Sequence, residues 1–219
     1  DLGLFDALNI TVDYFTELRK DIFMQRKIFP ETSGFQNAPY ANFGKVFNRG
    51  FDASLTFNKA FSRDTYLSLM GNFTYAHNTI LEYDEAAGIV GTTRARTGNS
   101  INQNYGLVSL GLYTDDDFLD PSSGSLKPGI PVPSWNRVKP GDIKYMDQNN
   151  DGVINDEDVT AIGGSSVPEI VYGFGFSFRH KGFDISALFQ GVAMTDFIVG
   201  GDYDDQRNQY YIPGAGAGA

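Results

Sequence analysis

The sequence predicts an all-β fold: part of a large antiparallel transmembrane β-barrel with long extracellular loops. Three observations predict it. Apolar and polar residues alternate with period two over most of the chain. Aromatics and glycine are plentiful, with 18 Phe, 12 Tyr and 25 Gly among 219 residues, a composition that suits the short alternating strands of membrane barrels. Very short connections also alternate with very long ones, as in a barrel whose tight turns lie on one side of a membrane and whose loops lie on the other.

The elements follow in chain order. Leu8, Ile10, Val12 and Tyr14 alternate with Asn9, Thr11 and Asp13, and a long connection then runs from about Ile28 to Phe43. Phe51, Ala53, Leu55 and Phe57 alternate with Asp52, Ser54, Thr56 and Asn58 up to a short turn at Phe61–Asp64. Leu67, Leu69, Phe73 and Tyr75 share the greasy face of the next strand, opposite Ser68, Asn72 and Thr74. After the long stretch from Glu82 to Val167, Tyr172, Phe174, Phe176 and Phe178 share a face opposite Gly173, Gly175, Ser177 and Arg179. His180-Lys181-Gly182 is a second short turn, followed by Phe183, Ile185, Ala187 and Phe189 alternating with Asp184, Ser186 and Gln190. Everything after Asp196 reads as loop.

Such strands fit a soluble sandwich, with greasy faces meeting in a core, or a barrel, with greasy faces toward lipid. An irregular connection as long as 82–167 is rare in a compact soluble domain, which favours the barrel. Phe174, Phe176, Phe178, Phe183, Ile185 and Phe189 should then face lipid, and Arg179, Asp184 and Gln190 the lumen. Residues 1–199 read as barrel wall, with 82–167 as one extracellular excursion and 200–219 as loop plus a low-complexity Gly/Ala tail. Strand parity makes a finer prediction. If the strand ending near Leu81 rises outward and the one from Glu169 descends, Tyr105–Tyr113 is a β-element inside the excursion and not a membrane crossing.

Composition bounds the rest. No run approaches the roughly 18 apolar residues of a membrane helix. Cysteine is absent, which removes disulfides, thiol nucleophiles and Cys metal sites. A formal charge of -10 argues against nucleic acid, which wants basic patches. The chain opens on Asp1 with neither initiator Met nor signal peptide, as expected of a mature chain or of a piece of a longer one.

The most specific local motif is DQNNDGVINDED, Asp147 to Asp158. Its spacing matches a calcium loop of the EF-hand type, with ligands at positions 1, 3, 5, 7, 9 and 12 and Gly at position 6. Asp147, Asn149, Asp151 and Asp158 would bind through side chains, Val153 through its carbonyl, and Asn155 directly or through water. Oxygen-only ligands suit a hard cation such as calcium. Asp158 stands where Glu is usual and is one methylene shorter, which points to modest affinity. The alternative is an acidic, Asn-rich turn without an ion. Pro140–Met146 before the loop reads as a turn and extended chain. After it, Val159–Ile162 leaves room for one helical turn at most, so there is no helix pair to act as a sensor.

Other candidates carry less. His77 and His180 have no nucleophile in a recognisable motif beside them, so surface or interfacial roles are expected and no enzymatic activity. Gly173-Phe174-Gly175 is followed by strand and is no dinucleotide fingerprint. Asp115–Asp117 and Asp202, Asp204 and Asp205 are either extra cation ligands or solvated loop faces. Trp135 and Tyr113 either stack on a sugar or a partner protein, or pack the loop.

Two stretches, DIKYMDQNNDGVINDEDVTAIG and PEIVYGFGFSFRHKGFDISALFQGV, resemble the SusC/RagA family of TonB-dependent outer-membrane transporters. GLFDALNITVDYF and GKVFNRGFDASLTFN resemble earlier strands of the same family, and TSGF at 32–35 fits the loop between them. The resemblance implies a barrel of about 22 strands filled by a plug, a SusD-like surface lipoprotein acting as a hinged lid, and import driven through the TonB complex in a Gram-negative outer membrane. It further implies substrates that are mostly glycans and sometimes peptides. With roughly five crossings this chain matches about a quarter of such a barrel and is expected to be a C-terminal-half section lacking plug, TonB box and closing strand. The expected function is a nutrient-importer component. The alternatives are a calcium-stapled outer-membrane adhesin or structural protein and, more remotely, a soluble calcium-binding β-domain.

Overall fold

The computed structural model describes residues 1–28, 34, 37–135, 137–199 and 212–213. Thr32, Ser33 and Phe35 of the TSGF segment, Asp202, Asp204, Asp205 and the Gly214–Ala219 tail lie outside the described residues. The described residues contain no α-helix.

The strands are β1 (Leu2–Leu4), β2 (Leu8–Gln25), β3 (Tyr40–Ser62), β4 (Thr65–Glu82), β5 (Gln103–Gly106), β6 (Ser109–Leu112), β7 (Phe118–Asp120), β8 (Ser125–Leu126), β9 (Val132–Pro133), β10 (Ile143–Tyr145), β11 (Val153–Ile154), β12 (Thr160–Ser165), β13 (Ile170–His180) and β14 (Phe183–Ala193), with the small ladder β15 (Ile198–Val199) and β16 (Ile212–Pro213). One six-stranded sheet, in the order β1-β2-β3-β4-β13-β14, forms the wall, and all of its pairs are antiparallel. β4 pairs directly with β13. The long stretch between them is therefore an excursion from one edge of the wall, as parity requires.

Register decides which side chains share a face, because neighbours across a ladder project the same way. Leu8, Phe57, Leu69, Phe176 and Ala187 form one row across five strands. Ile10, Leu55, Gly71, Phe174 and Phe189 form the next, and Val12, Ala53, Phe73, Tyr172 and Gly191 the one above. The opposite face carries Thr11, Ser54, Asn72, Gly173 and Gln190 in one row and Asp13, Asp52, Thr74, Val171 and Val192 in another. Arg179 lies opposite Asp184 on that second face and ion-pairs with it at 2.7 Å. The residues assigned above to lipid share one face of the sheet, and those assigned to the lumen share the other. The apolar face has no core to cover it: Phe174, Phe183, Ile185 and Phe189 are exposed.

All the tight turns lie at one edge of the wall. Phe5–Ala7, Arg63–Asp64 and Lys181–Gly182 close β1-β2, β3-β4 and β13-β14. Lys181 and Gly182 both have positive φ, 47° and 86°, the mirror-image turn whose twist matches a hairpin. The Lys181 N–H donates to the Asp64 carbonyl at 3.0 Å, tying two turns together. The connections at the far edge are the long ones. The first runs from Arg26 to Pro39, so the strand expected to resume after Phe43 already begins at Tyr40.

β13 and β14 have 11 residues each, whereas β2, β3 and β4 have 18, 23 and 18. Eleven tilted residues rise roughly 25 Å, the height of a barrel's apolar band. The longer strands overshoot it. The row Thr16, Arg49 and His77 marks the change on the apolar face from aliphatic and aromatic to charged. His77 bonds Glu169 there at 2.7 Å. His180, at the other end, bonds the Thr65 hydroxyl at 2.9 Å.

Candidate functional site

The excursion from residue 83 to 169 is built from short ladders. β12 pairs with β5, β10 with β6, β11 with β9, and β7 with β8. Tyr105–Tyr113, expected as one β-element, is two strands with different partners. Tyr113 is buried against Phe118 and Val138 and is no stacking platform, because it forms the centre of the excursion's own small core. Asp117 takes the Lys144 ammonium at 2.8 Å and the Thr114 N–H at 2.9 Å. These partners, chiefly Lys144, hold its carboxyl below the usual range. That member of the 115–117 cluster therefore serves the loop's own structure.

The acidic loop curls around its first residue. Asp147 Oδ1 accepts from the Asn150 N–H at 2.6 Å, and Oδ2 from Gly152 at 2.8 Å. The Asn149 carbonyl oxygen accepts from Asp151 N–H at 3.0 Å, and Asp151 Oδ1 from Val153 at 2.7 Å. Asn150 and Gly152 sit at φ 60° and 85°, and Gly152 is the residue the sharp turn needs. A 3-10 turn, Asp156–Asp158, follows, with Asn155 as its N-cap. The 3-10 turn lies inside the motif, and the Val159–Ile162 stretch after it, where at most one helical turn was allowed for, is taken up by strand β12 from Thr160.

Asp158 behaves differently from an open ligand. It is fully buried, and its two oxygens accept from the Gln148 and Asn155 N–H groups, each at 2.8 Å. It clips the two ends of the loop together. Among the described residues no three Asp, Glu, His or Cys side chains converge closely enough to hold a metal by themselves. A cation here would draw on the amide oxygens of Asn149 and Asn155 and the carbonyl of Val153 as well. The donor chemistry fits such an ion: every proposed ligand atom is oxygen, and the Asp158 and Asp151 oxygens and Asp147 Oδ2 each keep a lone pair beyond the one N–H they accept, whereas Asp147 Oδ1 accepts from both Asn150 and Asp151.

The loop is wired to its surroundings. Its β11 runs parallel to β9, with Val132 N–H to the Gly152 carbonyl at 3.0 Å and Ser134 N–H to the Ile154 carbonyl at 2.9 Å. Tyr145, two residues before Asp147, meets the Trp135 ring edge-on at 6.0 Å. A second anchor lies at the start of the excursion. Buried Asp84 accepts from Arg26 Nε at 2.9 Å and from the Lys27 and Ile28 N–H groups at 2.6 and 3.1 Å. These donors, Arg26 first, depress its carboxyl below the ordinary range. Spacing in the sequence gave no sign of this pair, whose members are 58 residues apart.

Comparison with known proteins follows the wall. No family model matches the chain. It is 28% identical to TonB-dependent receptor P39 of Formosa agariphila over 97% of its length and 23% of that receptor. It is 28% identical to TonB-dependent receptor P26 of the same organism over 83% of its length. The RagAB peptide importer in its closed-closed state superposes on 88% of the chain with a TM-score of 0.57 at 22% identity, and its open-open state does so at 0.60. The chain is similar to TonB-dependent receptors. It spans about a fifth to a quarter of the length of the proteins it matches, and its six-stranded sheet has the fold of one section of the RagAB importer.

Proposed function

We propose that this chain is part of an energised outer-membrane importer. It would take up oligosaccharides, or peptides, through a TonB-dependent barrel, with a SusD-like lipoprotein as lid and the remaining strands and plug completing the pore. The observation that carries the reading is the wall itself: a band of apolar rows shared by five strands, a more polar second face, turns at one edge and long connections at the other. Lipid would cover the first face and the pore water the second. The polypeptide at the turn edge would be periplasmic and the excursion extracellular.

In this reading Asp147, Asn149, Asp151, Val153, Asn155 and Asp158 bind one structural calcium. The buried Asp158 carboxylate supports it, since a fully buried carboxylate is seldom left without a counter-charge. The ion would pin the excursion, whose buried apolar cluster among the described residues is small: Tyr113, Phe118 and Val138 with Leu126 and Ile130 beside them.

The test is uptake of fluorescent oligosaccharides by cells with and without the intact gene, before and after the proton-motive force is collapsed. Gene- and energy-dependent accumulation is the expected result. Surface binding with no accumulation overturns import and favours the calcium-stapled adhesin.

A further inference from the structure

An open cleft of about 590 Å³ lies in the excursion, between the 124–130 segment and the 132–138 segment. We propose that it binds an acidic oligosaccharide, one whose sugar rings carry carboxylates. The proposal borrows from the import reading only the purpose of such a site; binding stands or falls by itself.

Charge is the first reason. The chain has 27 Asp and Glu against 17 Lys and Arg, yet the described residues lining the cleft include Lys127 and Arg137 and not one carboxylate. Among the described residues neither cation forms an ion pair. An arginine fork held free at the mouth of a cleft matches a carboxylate in two parallel hydrogen bonds.

Shape is the second. Trp135, the only tryptophan in the chain, lines the same cleft and is 47% exposed. Tyr145 holds its ring by an edge contact, so the indole is oriented before any ligand arrives. A fixed, half-exposed indole offers a flat apolar platform at little entropic cost, and the C–H face of a pyranose fits it.

The backbone argues against an extended peptide. A peptide would bind most readily by adding a strand, which needs free main-chain groups. Here the Lys127 and Ile130 N–H groups bond the Asp117 and Lys127 carbonyls, at 2.9 and 3.2 Å, and those of Val132 and Ser134 bond the acidic loop. Pro128 and Pro133 have no N–H to give. The side chains the cleft offers are two cations, an indole and the hydroxyls of Ser125 and Ser134.

The experiment uses the purified full-length transporter in detergent, its folding checked by heat-modifiable migration, at one fixed calcium concentration. Calorimetry compares a β-1,4-linked glucuronate tetramer, the neutral β-1,4-glucose tetramer and a glutamate tetrapeptide. The glucuronate tetramer should bind at least about tenfold tighter than the neutral one, and more weakly as salt rises. The double variant Lys127→Gln/Arg137→Gln should lose that preference. Trp135→Ala should weaken both sugars, and Trp135→Phe should restore part of the loss. Equal binding of the two sugars, an unchanged double variant, binding of the tetrapeptide alone, or no binding by folded protein each overturns the site. Binding in vitro without uptake by cells counts for this site and against the import reading. Uptake of the glucuronate tetramer that the double variant leaves unchanged counts against the site and for import.

Discussion

Asp158 shows how one residue can serve a motif in an unforeseen way. Its spacing in the loop marked it as the last ligand, and each of its oxygens also accepts a backbone N–H in a fully buried position. Spacing fixes which residue type stands at which position. It does not reveal whether the oxygens are open, because that depends on how the 3-10 turn folds back. Asp151 is exposed and bonds only within the loop, so it is the safer probe. With calcium, wild-type transporter should resist proteolysis between Gly141 and Gly164, and chelator or Asp151→Ala should speed cleavage several-fold. Identical cleavage with and without calcium in both proteins would leave the motif as an acidic turn. Asp84 gives a pH test. Its folded-state pKa is depressed, so its contribution is present at neutral pH, above the unfolded carboxylate value of about 4, and is lost as pH falls through the lower folded value. Protection factors for hydrogen exchange at Lys27 and Ile28 should therefore fall only in acid, and Asp84→Asn should bring that loss of protection up to neutral pH. Exchange at those amides that ignores both would show that the anchor is not what holds them.

At the scale of the strand, the alternating stretches were legible and their extensions were not. Leu8–Tyr14 alternates as a strand does whose one face would meet lipid and the other water. Above Tyr14 both faces lie beyond the apolar band, so Phe15, Leu18, Ile22, Phe23 and Met24 follow no period, yet β2 continues to Gln25. A bulge between Arg19 and Ile22, with Asp21 at φ 54°, breaks the register as well. Two substitutions separate the faces. Phe176→Arg puts a charge on the apolar face and should cost about 2–4 kcal/mol in the membrane, read as a lower urea midpoint for refolding into vesicles. Ser177→Arg, one residue on and on the other face, should change that midpoint little. Equal effects would mean that the two faces meet similar surroundings. Close packing gives a third case. A Cβ at Gly50 would lie 2.0 Å from the Tyr75 carbonyl oxygen and 2.6 Å from Phe15 Cζ. Since one obstacle is backbone, Gly50→Val should lower stability by about 1–3 kcal/mol, and a midpoint unchanged from wild type would show that β3 and β4 can part there.

Taken whole, the wall is an open sheet. Among the described residues β14 has no partner on its far side, and only the three residues of β1 cover the far side of β2. Hydrocarbon offers such edges no hydrogen bonds. The 219-residue chain alone, without detergent, should thus show no cooperative unfolding transition, and a sharp one by circular dichroism would contradict the barrel assignment. The wall is also stepped. β4 rises about 23 Å of strand beyond the point where β13 joins it, and the excursion fills the step. Gly98 and Asn99 exchange hydrogen bonds with Ile80, Ser100 bonds the Asn78 carbonyl, and Ile101 bonds the Asn78 side chain. Residues 98–101 therefore belong to the masonry of β4 although they are written in the loop. A cassette exchange between relatives that cuts at Glu82 and Ile170 would carry off part of the wall with the loop. Junctions that leave the 98–101 segment with its own strand are the ones a transplanted loop could survive.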